Sequence, residues 1–428
     1  MQEPISARPS SWVFLVLAAL VLLAYLPALS QPLIEDDYGN ILIAQRYGPV
    51  AGWHQLASDA VFRLRTTTWL FMHGLNLLFG MRASGYYAGM ILLHVLNTWL
   101  VYLLGIWRPL GFALSVWAAG FFAIFEGHQE AVMWLSGSTE PLLLLFGLMS
   151  FLCWIQFLDR RGAAWYAASI AAFCLALLSK ESAVILVALL ALPLAFDRKL
   201  SGAWPWLLPH AISAALAVAS VLSGRSNSFR FEDGSFSLHA PFWLIWPLNF
   251  ARLFWFWGLL SLVAILIWKP AGYRAILAIA CAWIALSLIP YSFLTYSRRI
   301  PSRQLHLASV GLAILVGFAL LQLYQRYSTR HRIAVVALCA LIVAQNVIYL
   351  WTKKRSQFLE RAAPTEQLLA VVRSARGPVY VRCFPRQRIV ADAAVQLMLG
   401  LQPSDSLLWT QADARAHPGA VTFCYPQR

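Results

Sequence analysis

The segment WVFLVLAALVLLAYLPALSQPLIEDDY, residues 12–38, joins an apolar run to three consecutive acids. A helix that crosses a bilayer needs about 20 predominantly apolar residues. The run ends in small residues, as a signal peptide does, but it is long for a signal h-region. We interpret it as a retained first transmembrane helix whose end carries the acids.

The composition of the whole chain extends this interpretation. Of its 428 residues, 60% are hydrophobic and only 12% are charged, whereas soluble domains average about 25% charged residues. This excludes a disordered protein and argues against an ordinary cytosolic enzyme. The net charge of +15 is interpreted as anchoring of cytoplasmic loops and contact with anionic lipid. No basic module of the nucleic-acid-binding type is present, so no nucleic-acid partner is expected.

Apolar runs of spanning length recur along the chain and predict an all-α polytopic membrane protein with about eleven transmembrane helices. A shorter apolar helix at 67–80 is expected to lie in the membrane interface, within a first external loop at 31–85. The aromatic segment 240–250 is a candidate re-entrant stretch. The predicted spans are 12–30, 86–106, 110–126, 140–158, 163–179, 182–196, 204–222, 251–268, 274–292, 305–324 and 333–351.

The connectors between spans alternate in charge. Short loops rich in Lys and Arg stay in the cytoplasm, which predicts a cytoplasmic N-terminus. We expect a multi-pass protein of the bacterial inner membrane. Lys353-Lys354-Arg355 would by itself place the tail inside, but five loops outweigh it. The basic loops are Arg108, 159–161, 197–199, 269–274 and 325–332.

The chain is expected to divide into a transmembrane catalytic domain, 1–352, and a small periplasmic α/β module, 353–428. The module is predicted from β-like runs at 378–383 and 420–424 and a helical stretch at 390–400. Each β-like run contains one cysteine, Cys383 or Cys424, and a periplasmic location would permit a disulfide between them. Their pairing stays open at this point.

Two acidic clusters follow apolar spans. Glu35, Asp36 and Asp37 are either the start of a solvated loop or a general base with its orienting neighbours. The segment 126–140 contains His128 and Glu130 beside Trp134. It is either a helix cap with interface anchors or part of a site. The clustered acids leave a divalent metal, Mg²⁺ or Mn²⁺, open as a cofactor.

The cations in external segments suggest a phosphate. Lys180-Glu181 lies between two apolar stretches, where charge is costly unless it is paired or functional. The segment 293–306 contains Arg298, Arg299 and Arg303 and no acid, against the positive-inside bias. The planar guanidinium suits phosphate. The plainer alternatives are a charge pair at a helix turn and nonspecific contact with anionic lipid.

In the order of these motifs the chain resembles the GT-C integral-membrane glycosyltransferases, which include protein O-mannosyltransferases and lipid A aminoarabinose transferases. The resemblance spans about residues 12–315. It rests on Glu35-Asp36-Asp37-Tyr38, on Arg65 to Gly80 with His94 and Asn97, on His128 to Gly137, and on Leu178 to Ser182 with Arg303 to Gly311. His306 stands where repeat-bearing relatives have tyrosine, Leu64 stands where they have proline, and the repeat domain is missing.

The resemblance implies inverting transfer of a hexosyl or pentosyl group from a polyprenyl-phosphate donor, on the periplasmic face. Asp36 would be the catalytic acid or base, with Asp37 and Glu130 beside it. The donor phosphate would contact Lys180, Arg298, Arg299 and Arg303. Support, or contact with a lipid, glycan or protein acceptor, would come from Glu35, Arg65, His128, Glu181 and His306.

Two other functions remain open from the sequence. A transporter or flippase of lipid-linked sugars would also need intramembrane charge, but it would be expected to show paired repeats and broken helices at matching positions. A catalytically silent scaffold of the same fold is the other alternative. The sugar, the prenyl length, the acceptor and the oligomeric state are not indicated.

Overall fold

The computed structural model describes residues 9–47, 65–223, 240–293, 301–327 and 332–426. These residues form mainly helices, with three short strands near the C-terminus. The helices are α1 (Ser11–Tyr25), α2 (Asp36–Tyr47), α3 (Thr66–Phe79), α4 (Ala83–Leu103), α5 (Gly111–Ile124), α6 (Gln129–Val132), α7 (Thr139–Arg160), α8 (Ala163–Leu177), α9 (Leu186–Phe196), α10 (Leu208–Ser223), α11 (Phe242–Phe254), α12 (Trp257–Trp268), α13 (Tyr273–Leu288), α14 (Ser309–Arg326), α15 (Arg332–Tyr349) and α16 (Arg355–Ser374). The C-terminal elements are β1 (Val379–Cys383), α17 (Arg388–Leu399), α18 (Pro403–Ser406), β2 (Leu407–Leu408), α19 (Gln411–Ala416) and β3 (Val421–Cys424).

Six helical stretches in the described part of the chain are long and apolar enough to cross a membrane. A seventh is formed if α11 and α12, which meet at 82°, act as one broken span. Three shorter apolar helices begin at Gly111, Ala163 and Glu181. A multi-pass helical protein is confirmed, whereas the count of eleven crossings stays a prediction.

The eighth predicted span, 251–268, contains a sharp bend. The aromatic segment 240–250 forms most of helix α11, and the bend follows it at Trp255 and Phe256. A re-entrant arrangement of this segment stays a prediction. Phe256 has a φ of 55°, in the left-handed region that non-glycine residues rarely adopt. The sharp reversal at these two residues ends α11 and begins α12.

Helix α14 lies at the centre of the membrane core, with every residue from Ser309 to Leu320 buried. It packs against α5 and α13. A Cβ atom at Gly317 would lie 2.5 Å from the backbone nitrogen of Ala118 in α5. Small residues permit this close approach of two helix backbones within a bilayer.

The connectors meet in two groups at opposite ends of the helices. At one end the basic connectors contact each other, since Arg108 pairs with Asp159 at 3.0 Å and the Arg326 guanidinium lies 5.8 Å from the Trp268 ring centroid. At the other end the acidic motif contacts the segment 126–139 and the C-terminal segment. We call this second end the acidic face.

The C-terminal segment continues the last membrane helix without a break. Helix α15, a π-helical turn at Leu350–Lys354 and α16 form one stretch of 43 residues. The predicted boundary at residues 352 and 353 therefore lies inside a continuous helix. This helix brings the tail to the acidic face, so Lys353-Lys354-Arg355 does not turn the tail to the other end.

A second hydrophobic core, separate from that of the membrane helices, lies on the acidic face. It joins residues of the first external loop, such as Leu33, Tyr38 and Ile41, to Leu368 of α16 and Val379 of β1. The three strands form a parallel sheet in the order β2-β1-β3. Cys383 and Cys424 are paired in register, with Cα atoms 4.5 Å apart, and are joined by a disulfide.

Candidate active site

The three acids of the motif differ in environment, although they are adjacent in the sequence. Glu35 precedes α2, and Asp36 and Asp37 form its first turn. Acidic side chains at a helix N-terminus are favoured by the helix dipole. The Asp36 side chain is exposed to solvent, the Glu35 side chain is only 15% exposed, and Asp37 is fully buried.

Asp37 is held by three hydrogen bonds. Its Oδ2 accepts from the Ile34 backbone N–H at 3.0 Å, and its Oδ1 accepts from the backbone N–H and the hydroxyl of Ser136 at 2.8 and 2.6 Å. Burial raises the pKa of Asp37 to about 7, against the lowering effect of these hydrogen bonds. Asp37 therefore fixes the first turn of α2 to the segment before α7.

Asp36 is the accessible acid. Within the described part of the chain its carboxylate has no hydrogen bond and no ion pair. Partial desolvation by the surrounding protein raises its pKa, and the charge of Glu35 raises it further. Arg303, Arg361 and Arg386 lie close enough to lower the same pKa. The carboxylate is thus free to receive a proton, and three arginine side chains lie near it.

Glu35 is bound by two arginines from the C-terminal segment. Arg361 of α16 contacts both carboxylate oxygens, at 3.3 and 2.7 Å, and Arg386 contacts Oε1 at 2.7 Å. Arginine pairs with carboxylates strongly through such parallel bonds. The backbone of Glu35 has a φ of 48°, in the left-handed region. The Glu35 carboxylate is therefore engaged in ion pairs and is not free to act as an acid or base.

Trp134 lies between the acidic motif and the cations. Its ring is contacted by the guanidinium groups of Arg303 and Arg361, at 4.7 and 4.3 Å from the ring centroid. Its indole N–H donates to the backbone carbonyl of Ile34 at 3.4 Å. Stacking on an aromatic ring orients a guanidinium without consuming its hydrogen-bond donors. Arg303 thus keeps its side-chain donors available.

Glu130 acts on Arg303 through the backbone. Its Oε2 accepts from the Arg303 backbone N–H at 3.2 Å. Gly137 packs against the backbone carbonyl of Glu130 so closely that a Cβ atom there would overlap it. Of the three predicted phosphate-binding arginines, only Arg303 can be placed, because Arg298 and Arg299 lie outside the described residues.

Lys180 and Glu181 each form an ion pair with another residue. Lys180 forms a buried ion pair with Glu140, whose Oε2 also accepts from the Tyr291 hydroxyl at 2.7 Å. Glu181 pairs with Arg65 at 3.2 Å. Glu140 lies one turn after Ser136, so this network is on the acidic face. The predicted supporting residues Arg65 and Glu181 are thereby brought together.

His128 and His306 form a buried cluster with His94. The ring centroids of His128 and His306 are 4.6 Å apart, and His94 lies 5.1 and 5.9 Å from them. Burial, and then the neighbouring imidazoles, lower the pKa of His128 and His306 well below the ordinary range. His128 contacts the Ser309 hydroxyl at 2.7 Å. These neutral rings support α14 beneath the site.

No group of three or more His, Cys, Asp or Glu side chains suited to a metal ion occurs among the described residues. In particular, Glu35 and Asp37 already have Arg and Ser136 as partners. The acidic clusters that left a divalent cation open in the sequence therefore do not fit one in the described geometry. No metal-dependent step is derived for this site.

Several residues of the site have no signal in the sequence. Arg361 and Arg386 belong to the C-terminal segment, outside every motif, and only the continuous helix and the shared core bring them to Glu35. The sequence indicates Trp134 only as an interface anchor and Glu140 only as a member of the polar segment 126–140. Tyr291 has no signal of its own.

No family model and no curated protein sequence matches this chain. Solved structures of membrane glycosyltransferases do match. ArnT from Cupriavidus metallidurans bound to undecaprenyl phosphate aligns with a TM-score of 0.54 and 13% identity, over 97% of this chain and 90% of ArnT. The archaeal oligosaccharyltransferase AglB from Archaeoglobus fulgidus, in complex with an inhibitory peptide and a dolichol-phosphate, aligns with a TM-score of 0.50 and 11% identity.

This second match covers 92% of the chain and 64% of AglB, so the chain spans less than two thirds of that protein. The same oligosaccharyltransferase in complex with Zn and sulfate gives a TM-score of 0.50 and 12% identity, over 92% of this chain and 62% of that one. At such identities the likeness concerns the fold. The chain shares its overall fold with these structures, in agreement with the resemblance found in the sequence.

Proposed function

We propose that this chain is a membrane glycosyltransferase that transfers a sugar from a polyprenyl-phosphate donor to an acceptor at the acidic face. The observation that carries the proposal is the state of Asp36. It is the accessible acid of its motif, without a partner in the described residues, and three arginines lie near it. ArnT with undecaprenyl phosphate and AglB with dolichol-phosphate share the fold and support a donor of this class.

Asp36 is the general base in this proposal. Its carboxylate takes the proton of an acceptor O–H or N–H while the acceptor atom bonds to the anomeric carbon of the sugar. The bond from that carbon to the phosphate oxygen breaks, and the electron pair leaves with the polyprenyl phosphate. Attack opposite the leaving group inverts the anomeric configuration. Asp37 and Glu35 orient Asp36 through the first turn of α2.

Arg303 is the donor-phosphate contact that the geometry favours. Its guanidinium is oriented by Trp134, its backbone is held by Glu130, and it lies close enough to Asp36 to affect its pKa. Preorganised positive charge stabilises a leaving phosphate without a need to protonate it. Arg298 and Arg299, just before it in sequence, remain proposed contacts. Lys180 also remains one, although its ammonium already pairs with Glu140.

The acidic face is proposed to be periplasmic, with the N-terminus of the chain in the cytoplasm of a bacterial inner membrane. The support is the contact of basic connectors at the opposite end, because short basic loops are retained inside. The disulfide between Cys383 and Cys424 agrees with an oxidising compartment for the tail.

The test is donor turnover by the purified full-length chain in liposomes with a labelled polyprenyl-phosphate sugar. We expect the wild type to release free polyprenyl phosphate and Asp36→Asn to lose at least a hundredfold in rate while it keeps its thermal stability. Asp159→Asn is the matched control, since it makes the same change at the opposite face. Equal turnover by Asp36→Asn and the wild type would contradict the proposal. Movement of intact donor across the bilayer without its cleavage would favour a transporter.

A further inference from the structure

The backbone just before Asp36 has a conformation that needs support from elsewhere. Glu35 has a φ of 48°, and a non-glycine residue keeps this strained conformation only where its surroundings hold it there. The conformation decides how the chain enters α2, and hence where the carboxylate of Asp36 points. The origin of its support is therefore relevant to the reaction.

That support comes from the opposite end of the chain. Arg361 contacts both carboxylate oxygens of Glu35, and Arg386 contacts one of them. Arg361 also stacks on Trp134 at 4.3 Å, so its guanidinium is fixed from two sides. A third link joins Tyr38 to Glu366 of α16, hydroxyl to carboxylate, at 3.1 Å.

The two arginines are themselves placed by rigid elements. Arg361 lies on the helix that continues out of the membrane. Arg386 lies between β1 and α17, three residues after Cys383, where the disulfide to Cys424 joins the ends of β1 and β3. The shared hydrophobic core holds β1 and α17 against α2. The C-terminal segment thus completes the acidic face.

We propose that Arg361 and Arg386 are positioning residues, which clamp Glu35 in its left-handed conformation and so aim the carboxylate of Asp36, with the Cys383–Cys424 disulfide holding Arg386 in register. The inference rests on the proposed function, because Asp36 is taken as the base. It assigns to the C-terminal segment a part in catalysis, beyond its contribution to stability.

The pH dependence of donor turnover tests whether the charges of this ion pair act on Asp36. The charged groups that face Asp36 are Glu35, Asp37, Arg303, Arg361 and Arg386. Arg386 lowers the pKa of Asp36 and Glu35 raises it. Since Asp36 acts as the base, the acidic limb of kcat/KM should move to higher pH in Arg386→Gln and to lower pH in Glu35→Gln. Arg388→Gln, which loses a pair with Asp392 in the same segment, should not move it.

The backbone role of the clamp is tested by two substitutions at one position. Glu35→Ala and Glu35→Gly both remove the carboxylate, but only glycine adopts a positive φ without strain. We expect kcat per folded enzyme to fall about thirtyfold in Glu35→Ala and about threefold in Glu35→Gly, with little change in the KM for donor. Equal losses in the two variants would overturn a role through the backbone.

Hydrogen–deuterium exchange provides a readout that does not depend on any donor. Arg386→Gln, and separately Cys383→Ser with Cys424→Ser, should increase exchange of the amides from Ile34 to Tyr38, while Arg388→Gln leaves it unchanged. In the Arg386→Gln background, removal of the disulfide should add no further increase, because the residue that it positions is gone.

Unchanged exchange of the amides from Ile34 to Tyr38 in Arg386→Gln would overturn the clamp. If the wild type cleaves no donor, the proposed function fails by itself, and the exchange measurement still decides whether Glu35 is held in this way. The two failures are therefore distinguishable.

Discussion

The carboxylate of Asp37 accepts hydrogen bonds from both the backbone N–H and the hydroxyl of Ser136, at 2.8 and 2.6 Å, although 99 positions separate the two residues. This contact joins the start of α2 to the segment before α7. It fixes the residue next to Asp36 without using Asp36 itself. The neighbouring acid thus stays available for chemistry.

Loss of the Ser136 hydroxyl should weaken the contact between Asp37 and Ser136. Ser136→Ala removes one bond to a carboxylate and keeps the backbone bond, so a cost of about 1–3 kcal/mol is expected. We expect a lower Tm and a roughly tenfold lower kcat, measured by thermal unfolding in detergent and by donor turnover. Ser138→Ala is the matched control, since the buried Ser138 hydroxyl has no partner among the described residues. Equal effects of the two variants would contradict the role of Ser136.

Asp37 should make stability depend on pH. Burial raises its pKa to about 7 in the folded protein, against about 3.9 in the unfolded chain. Between these values the unfolded chain has lost the proton that the folded protein retains, so stability falls as pH rises from 4 to 7 and then levels. The Tm advantage of wild type over Asp37→Asn should shrink across this interval and stay constant above it. A Tm difference between wild type and Asp37→Asn that grows with pH would contradict this prediction.

The Lys180–Glu140 pair permits a test of the phosphate prediction. Lys180→Met alone leaves a buried carboxylate unpaired, which typically costs about 3–5 kcal/mol. Lys180→Met with Glu140→Gln should recover most of the lost stability. If Lys180 also binds the donor phosphate, the double variant should still show a KM for donor raised about tenfold. Recovery of both the Tm and the KM would assign Lys180 to structure alone.

Gly137 should not tolerate a side chain. A Cβ atom there overlaps the backbone carbonyl of Glu130, and Glu130 holds the backbone of Arg303. We expect Gly137→Ala to lose about 1–3 kcal/mol of stability and to raise the KM for donor severalfold. Gly120→Ala in α5, where a Cβ atom meets nothing within 4 Å, is the control. A wild-type KM in Gly137→Ala would separate this glycine from the Arg303 contact.

The proposed orientation is checked by labelling in cells. Asp405→Cys, at an exposed position of the C-terminal segment, should react with a membrane-impermeant maleimide applied from outside the inner membrane. Gly162→Cys, in a connector at the opposite end, should react only after permeabilisation. The reverse pattern would turn the acidic face to the cytoplasm.

The membrane architecture is the part of the fold most accessible from the sequence. Long apolar runs and alternating loop charges depend on local composition, so apolar helices such as α1, α4, α7 and α14 can be anticipated, whereas the short polar helices α2 and α6 cannot. The bend between α11 and α12 could not, because Trp255 and Phe256 have no turn signal. The sequence alone does not decide the disulfide, since it is the parallel pairing of β1 with β3 that brings Cys383 and Cys424 together.

The site was predictable where its residues belong to motifs and unpredictable where they act through tertiary contacts. The sequence placed Asp36, Asp37, Glu130 and Arg303 on one face, and the structure brings them together. It could not show that Glu140 neutralises Lys180 across 40 positions, or that Glu35 pairs with residues of the tail. Such pairings depend on how helices pack and not on spacing along the chain.

Glu35 contacts Arg361, 326 positions later in the chain, and this separation determines when the site can form during synthesis. A ribosome makes the acidic motif 326 positions before it reaches Arg361. Until the final helix has been inserted and the tail has emerged, Glu35 and Asp36 lack the cations that define their environment. A nascent chain with every earlier span in the bilayer still lacks these contacts, and the site can form only after Arg361 and Arg386 have been made.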